Sequence, residues 1–107
     1  MNVIVEGVRK SAVKQVTDAD TTVYEVTSGR TFYASAIIVA GISGAVVSIY
    51  DGPSSEGVQP ILPIPLEDKG PVIINRRVLN DAPEFLSSVV AKSTISGVWV
   101  QIIGVER

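Results

Sequence analysis

Apolar and polar positions along this chain alternate in short runs that turn-forming clusters interrupt. From Thr22 to Thr27, Val23, Glu25 and Thr27 fall on one face and Tyr24 and Val26 on the other. A period of two marks a strand with two distinct faces. In the run from Val98 to Val105, Val98, Val100 and Ile102 share one face, while Trp99, Gln101 and Ile103 share the other. Thr31 to Ala40 is longer, and its Phe32 and Tyr33 put aromatics on both faces. Ala45 to Tyr50 reads as a buried strand. Val3-Ile4-Val5, a weaker segment at Val13 and Val16, Val58 to Leu66, Val72 to Val78 and Phe85 to Ala91 complete the set.

Turn signals separate these runs at short, regular steps. They include Ser28-Gly29, Asp51-Gly52-Pro53, Asp68-Lys69-Gly70-Pro71, Asn80-Asp81-Ala82-Pro83 and Ser96-Gly97. Gly permits positive φ, Pro fixes φ, and Asn or Asp bonds nearby backbone. The nearest approach to a helix, Arg76 to Val90, has Pro83 in its middle. The pattern therefore predicts an all-β fold, a jelly-roll-like β-sandwich of eight or nine antiparallel strands. Phe32, Val46, Ile49 and Ile102 are expected near its core. One domain spans residues 1–107.

The segment Gln59-Pro60-Ile61-Leu62-Pro63-Ile64-Pro65-Leu66 reads as an edge strand or a crossover, because Pro removes a ladder donor. Pro63 and Pro65 share one parity, and Leu62, Ile64 and Leu66 the other, the expected inward face. A PxxP ligand for an SH3-type partner would want an adjacent Arg or Lys, which this segment lacks.

Composition strengthens the strand reading. Val, Ile and Thr supply 18, 12 and 6 of the 107 residues, and branching at Cβ suits a pleated surface. Charged residues are only 19% of the chain, against about 25% for an average soluble protein. A small domain with so little charge is expected to have part of its surface covered by protein. The alternative is that Ser, Thr and Gly solvate it. The net charge of −2 and the isolated basic pairs Arg9-Lys10 and Arg76-Arg77 speak against nucleic acid as a partner. The apolar stretch Ala34 to Ile42 is too short to span a bilayer, and Met1 to Lys10 lacks the basic region of a secretory signal. No membrane partner is expected.

Candidate chemistry is sparse. With no His and no Cys, the chain lacks the side chains most easily set near neutral pH for proton transfer or nucleophilic attack. Neither a G-x-S-x-G nor an S-x-x-K motif accompanies its Ser and Thr residues. Asp18 and Asp20 form a D-x-D pair that could join a hard-cation site, the plainer reading being an Asx turn. Glu67-Asp68 could serve glycoside hydrolysis only if the two flanked a cleft, and adjacent side chains in a turn point apart. No enzyme activity, cofactor or metal is expected. Trp99 suits a subunit contact, a core position or a ligand platform. Tyr24, Tyr33 and Tyr50 could extend it into an aromatic strip. Residues 1–10, apolar at Val3, Ile4, Val5 and Val8, form a candidate contact arm, or else the first strand of their own sandwich.

Thr22-Val23-Tyr24-Glu25-Val26-Thr27-Ser28-Gly29-Arg30-Thr31-Phe32-Tyr33 resembles the opening of small β-sandwich structural proteins of tailed phages. Ala45-Val46-Val47-Ser48-Ile49-Tyr50-Asp51-Gly52 resembles their central strand and turn. Ser96-Gly97-Val98-Trp99-Val100-Gln101-Ile102-Ile103-Gly104 resembles their closing strand. The resemblance implies a non-enzymatic virion protein, foremost a capsid decoration or auxiliary subunit. It implies other virion proteins as partners and a homotrimer as the assembly, and carries no catalytic residues. The alternative expectation is a carbohydrate- or receptor-binding module, for example of a tail or fibre.

Overall fold

The computed structural model of the chain describes residues 7–75 and 82–107. Among them nine strands form: β1 Val8–Val16, β2 Thr21–Glu25, β3 Phe32–Ala40, β4 Val46–Asp51, β5 Ile64–Pro65, β6 Val72–Asn75, β7 Glu84–Phe85, β8 Ser88–Ser93 and β9 Val98–Glu106. A 3₁₀ turn at Ser54–Glu56 is the only helical element among the described residues.

Pairing is nested and antiparallel. β1 pairs with β9, β2 with β8, β3 with β6 and β4 with β5. This is a long ribbon doubled back on itself. Rolling the ribbon brings β9 beside β3 and β8 beside β4. Two sheets result, ordered β1-β9-β3-β6 and β2-β8-β4-β5, with β7 also on β3. That order is the jelly roll which the strand count and spacing predict.

The inner faces of the two sheets close over one core. Phe32, Ile37, Ile49, Phe85, Val89 and Ile102 are fully buried there. Burying a side chain of this size is worth about 1.5–3 kcal/mol. Phe32, Ile49 and Ile102 lie where the sequence puts them. Val46 does not: it is half-buried on the outward parity of β4, and Val47 takes the core position.

Several elements differ from the sequence reading for local reasons. The weak segment at Val13 and Val16 is the end of a nine-residue strand, β1, stabilised by pairing with β9 along its whole length. Val8, Arg9 and Lys10 of the candidate arm belong to this strand and face Glu106, Val105 and Gly104 of the same chain. Val3, Ile4 and Val5 lie outside the described residues, as do Arg76, Arg77 and Val78.

A bulge between Thr22 and Tyr24 breaks the expected alternation of β2. It sets both Val23 and Tyr24 against the core and leaves Glu25 exposed. The run Phe85 to Ala91 divides between the two sheets, as β7 and β8. Asp51 fixes the corner between them. Its carboxylate accepts the backbone N–H groups of Leu86 at 3.0 Å and Ser87 at 2.9 Å.

In the proline segment only Ile64–Pro65 pairs, as the edge strand β5. Ile64 and Leu66 are buried and Pro63 and Pro65 exposed, as parity predicts. Leu62, expected inward, is instead exposed, because regular pairing begins only at Ile64.

Candidate interaction surface

The outward side of the sheet β1-β9-β3-β6 carries the chain's most distinctive surface. Register aligns its outward residues in rows across the strands. One row runs Val13, Gln101, Ile38, Ile73, crossing all four strands. A second runs Ser11, Ile103, Ala36, Asn75, and a third Gln15, Trp99, Ala40. These rows hold no charged residue. Arg9 stands beyond them, in the row with Val105 and Tyr33.

Four large apolar side chains in these rows are well exposed: Val13 at 54%, Ile73 at 52%, Trp99 at 49% and Ile103 at 36%. Single exposed apolar residues are ordinary; their adjacency on one sheet face is not. The opposite outer face differs. Its β8 and β4 positions Lys92, Ser48, Val90 and Tyr50 align as Ser48–Lys92 and Tyr50–Val90, with Glu25 on the neighbouring β2.

Trp99 alternates with buried Val98 and Val100, as the sequence parity requires, and is turned to the outside. The three tyrosines do not join it. Tyr33 is on the same face but at the far end of β3, since Ala40 is the residue opposite Trp99. Tyr24 packs on Phe32 with ring centres 5.0 Å apart, and Tyr50 belongs to the other sheet. The sequence reading names Val13 only as part of a weak strand and puts Ile103 on the face of Trp99, but it does not single out Ile38 and Ile73. Their signal is a continuous run: Ile37-Ile38-Val39 and Val72-Ile73-Ile74 are apolar on both parities. Strands covered on both faces read this way.

Two open clefts flank the proline segment. One, of about 560 Å³, is lined by Pro60 to Pro65 with Val72 and Ile74. The other, of about 530 Å³, lies between Val58 to Ile61 and the corner at Ala82, Pro83 and Leu86. The first is lined only by apolar side chains, and the second reaches Glu84 and Asp51, the latter's carboxylate being engaged by the corner N–H groups.

The two acidic pairs lie in hydrogen-bonded turns. Asp20 Oδ2 accepts the Ser54 N–H at 3.0 Å, and hydrogen bonding from Ser54 holds its carboxyl below the usual range. The Asp18 N–H donates to Ser96 Oγ at 3.3 Å. Asp68 Oδ1 accepts the Lys69 N–H at 2.7 Å, and the Glu67 carbonyl accepts Ser43 Oγ–H at 3.1 Å. Among the described residues no group of three or more acidic side chains converges as a cation site would require.

Glu106, at the end of β9, is a polar residue that the sequence reading passed over. It is only 3% exposed, and its Oε2 accepts from the Tyr24 hydroxyl and from the Thr27 N–H. Hydrogen bonds from Thr27, then Tyr24, bring its carboxyl down to about 2, with Lys10 adding a favourable charge. Burial, then the hydrogen bond and charge of Glu106, push the Tyr24 phenol up to about 12. The pair links β2 to β9, and so one sheet to the other. Nothing in the sequence spacing announces it, since the partners are far apart in the chain.

Comparison with family models, with curated proteins and with solved structures finds no match to this chain.

Proposed function

We propose that this protein is a non-catalytic structural subunit that is built into a larger protein assembly. The observation that carries the reading is the three uncharged rows, rich in exposed apolar side chains, on the outer face of β1-β9-β3-β6. One side of that sheet is covered by the protein's own second sheet. Its other side is patterned as if covered too, yet among the described residues no element of the chain lies over Val13, Ile73 and Trp99. An exposed apolar face of this breadth marks a contact with another protein.

The finer form of the proposal is a virion: a decoration or auxiliary subunit on a phage capsid. Its support is the likeness of the three sequence stretches around Thr22–Tyr33, Ala45–Gly52 and Ser96–Gly104 to tailed-phage sandwich proteins. The jelly-roll order is compatible with it but hosts many functions. Mass spectrometry of particles purified from a producing culture tests the proposal. The expected result is this chain as a stoichiometric component that resists washing. Recovery only as a free soluble protein overturns it.

A second reading has one observation in its favour. Trp99 is half-exposed with Gln15 opposite it on β1, an arrangement that could stack on a sugar ring and bond its hydroxyls. A glycan array read out by Trp99 fluorescence separates the two. Saturable binding that Trp99→Ala abolishes would favour the ligand module.

A further inference from the structure

We infer that the occupant of the apolar outer face is a second copy of this chain, docked sheet to sheet about a two-fold axis. The inference rests on the assembly reading above and names its first contact.

The argument is one of size, charge and shape. Four strands spaced about 4.8 Å apart are about 19 Å wide, and the three uncharged rows, about 6.8 Å apart, run for about 20 Å. The footprint is therefore at most about 380 Å² on each copy, and the accessible area of a corrugated face exceeds its footprint. Two such footprints make about 760 Å², and corrugation raises the buried accessible area toward the roughly 1,000 Å² at which a specific contact between proteins begins.

Charge points to the same occupant. Each chain carries a net charge of −2, so two copies repel in general. The three rows contain no acidic or basic residue, and the face-to-face approach buries no unpaired charge. A partner of opposite charge would find nothing here to recognise. An uncharged apolar partner fits, and the same face on another copy is one.

The shape is also self-complementary. Sheets pack on sheets about 10 Å apart with a small rotation, as the two sheets of this sandwich do. Side chains such as Val13, Ile38 and Ile73 on one copy interdigitate with their equivalents on the other. A single flat face serves one partner, so it closes a pair. A closed trimer, which the phage resemblance implies, needs two different patches on every copy.

Analytical ultracentrifugation of the full chain between about 1 and 100 µM tests this, an interval that covers the modest affinity of a contact this size. The expected mass is twice the 11.3 kDa of one chain, with Trp99 emission moving to longer wavelength on dilution. The double variant Val13→Glu, Ile73→Glu should sediment as a monomer with unchanged circular dichroism. Thr22→Glu, on the opposite outer face, should leave the dimer intact. Three results overturn the inference: a wild-type monomer throughout, a closed trimer, or a dimer that survives the double variant and is broken by Leu62→Glu. A monomer still found in purified particles overturns the second copy alone and leaves the assembly reading standing. A monomer absent from particles overturns both.

Discussion

Tyr24 on β2 donates its hydroxyl hydrogen to Glu106 on β9, and this bond ties the two sheets together at one end of the sandwich. Each group alters the other's titration, so the bond has a defined pH window. The Glu106 carboxyl is lowered from 4.5 to about 2. Its contribution is whole above about pH 4.5 and is lost as pH falls through about 2. The Tyr24 phenol is raised from 10 to about 12, so its contribution is whole below pH 10 and is lost as pH rises through about 12. Tyr24→Phe removes the bond. The stability gap between wild type and variant should be widest between about pH 5 and 10 and should narrow toward both ends. Urea midpoints measured from about pH 2 to about pH 12 check this, and a gap that stays constant below about pH 4 and above about pH 10 would show that the bond contributes nothing.

Asp51 governs where the chain leaves one sheet for the other. Its two carboxylate oxygens receive the N–H groups of Leu86 and Ser87, and one also faces Ser88 N–H at 3.4 Å. Asp51→Ala leaves these donors at a tight corner without their acceptor. Hydrogen bonds to a charged acceptor are worth about 1.5–3 kcal/mol each, and water recovers part of that at a corner which is not fully buried. A loss of about 2 kcal/mol is expected by urea denaturation. Hydrogen exchange should quicken first at residues 86–88. Uniformly faster exchange over the whole domain would place the role of Asp51 elsewhere.

Much of this fold is legible in the sequence, because strand parity needs only neighbouring residues. Val98, Val100 and Ile102 face inward and Trp99 outward, as alternation alone requires. Parity fails where a non-local bond resets it. The bulge at Val23 changes the phase of β2, and the Asp51 corner divides Phe85 to Ala91 between two sheets. The interaction face was half legible. Trp99 stands out by its type, whereas Val13, Ile38 and Ile73 become one row only through the pairing of four strands distant in sequence. The Tyr24–Glu106 bond was not legible at all, since its partners meet only when the two sheets close.

Val46 and Ile49 separate the two parities of β4 energetically. Ile49 is fully buried in the core on the inward parity that it shares with Val47, so Ile49→Ala leaves a cavity and should cost about 2–5 kcal/mol. Val46 is half-buried on the outward side, and Val46→Ala should cost under about 1 kcal/mol, close to the range of surface changes. Thermal unfolding of the two variants under one set of conditions compares them. Equal losses would mean that β4 is seated one residue out of the register described above.

Gly104 is the most constrained position in β9. It lies on the inward parity, opposite Ala34 on β3 and Lys10 on β1. A Cβ placed there would meet the Tyr33 carbonyl oxygen and come within 2.6 Å of the Phe32 ring. The ring has little freedom to give way, since it packs on Tyr24 at 5.0 Å and on Phe85 at 6.2 Å between ring centres. The carbonyl belongs to the ladder joining β3 to β9 and cannot withdraw without loosening that pairing. Gly104→Ala should therefore destabilise by about 1–3 kcal/mol or more, although Ala ordinarily does better than Gly within a strand. Phe32→Leu in the same chain removes the ring edge and leaves the carbonyl clash. The double variant should then lose less than the sum of the two single losses, by about 0.5 kcal/mol or more. Strict additivity in a double-mutant cycle would show that Phe32 does not limit the space at Gly104, and a neutral or stabilising Gly104→Ala would remove the close approach altogether.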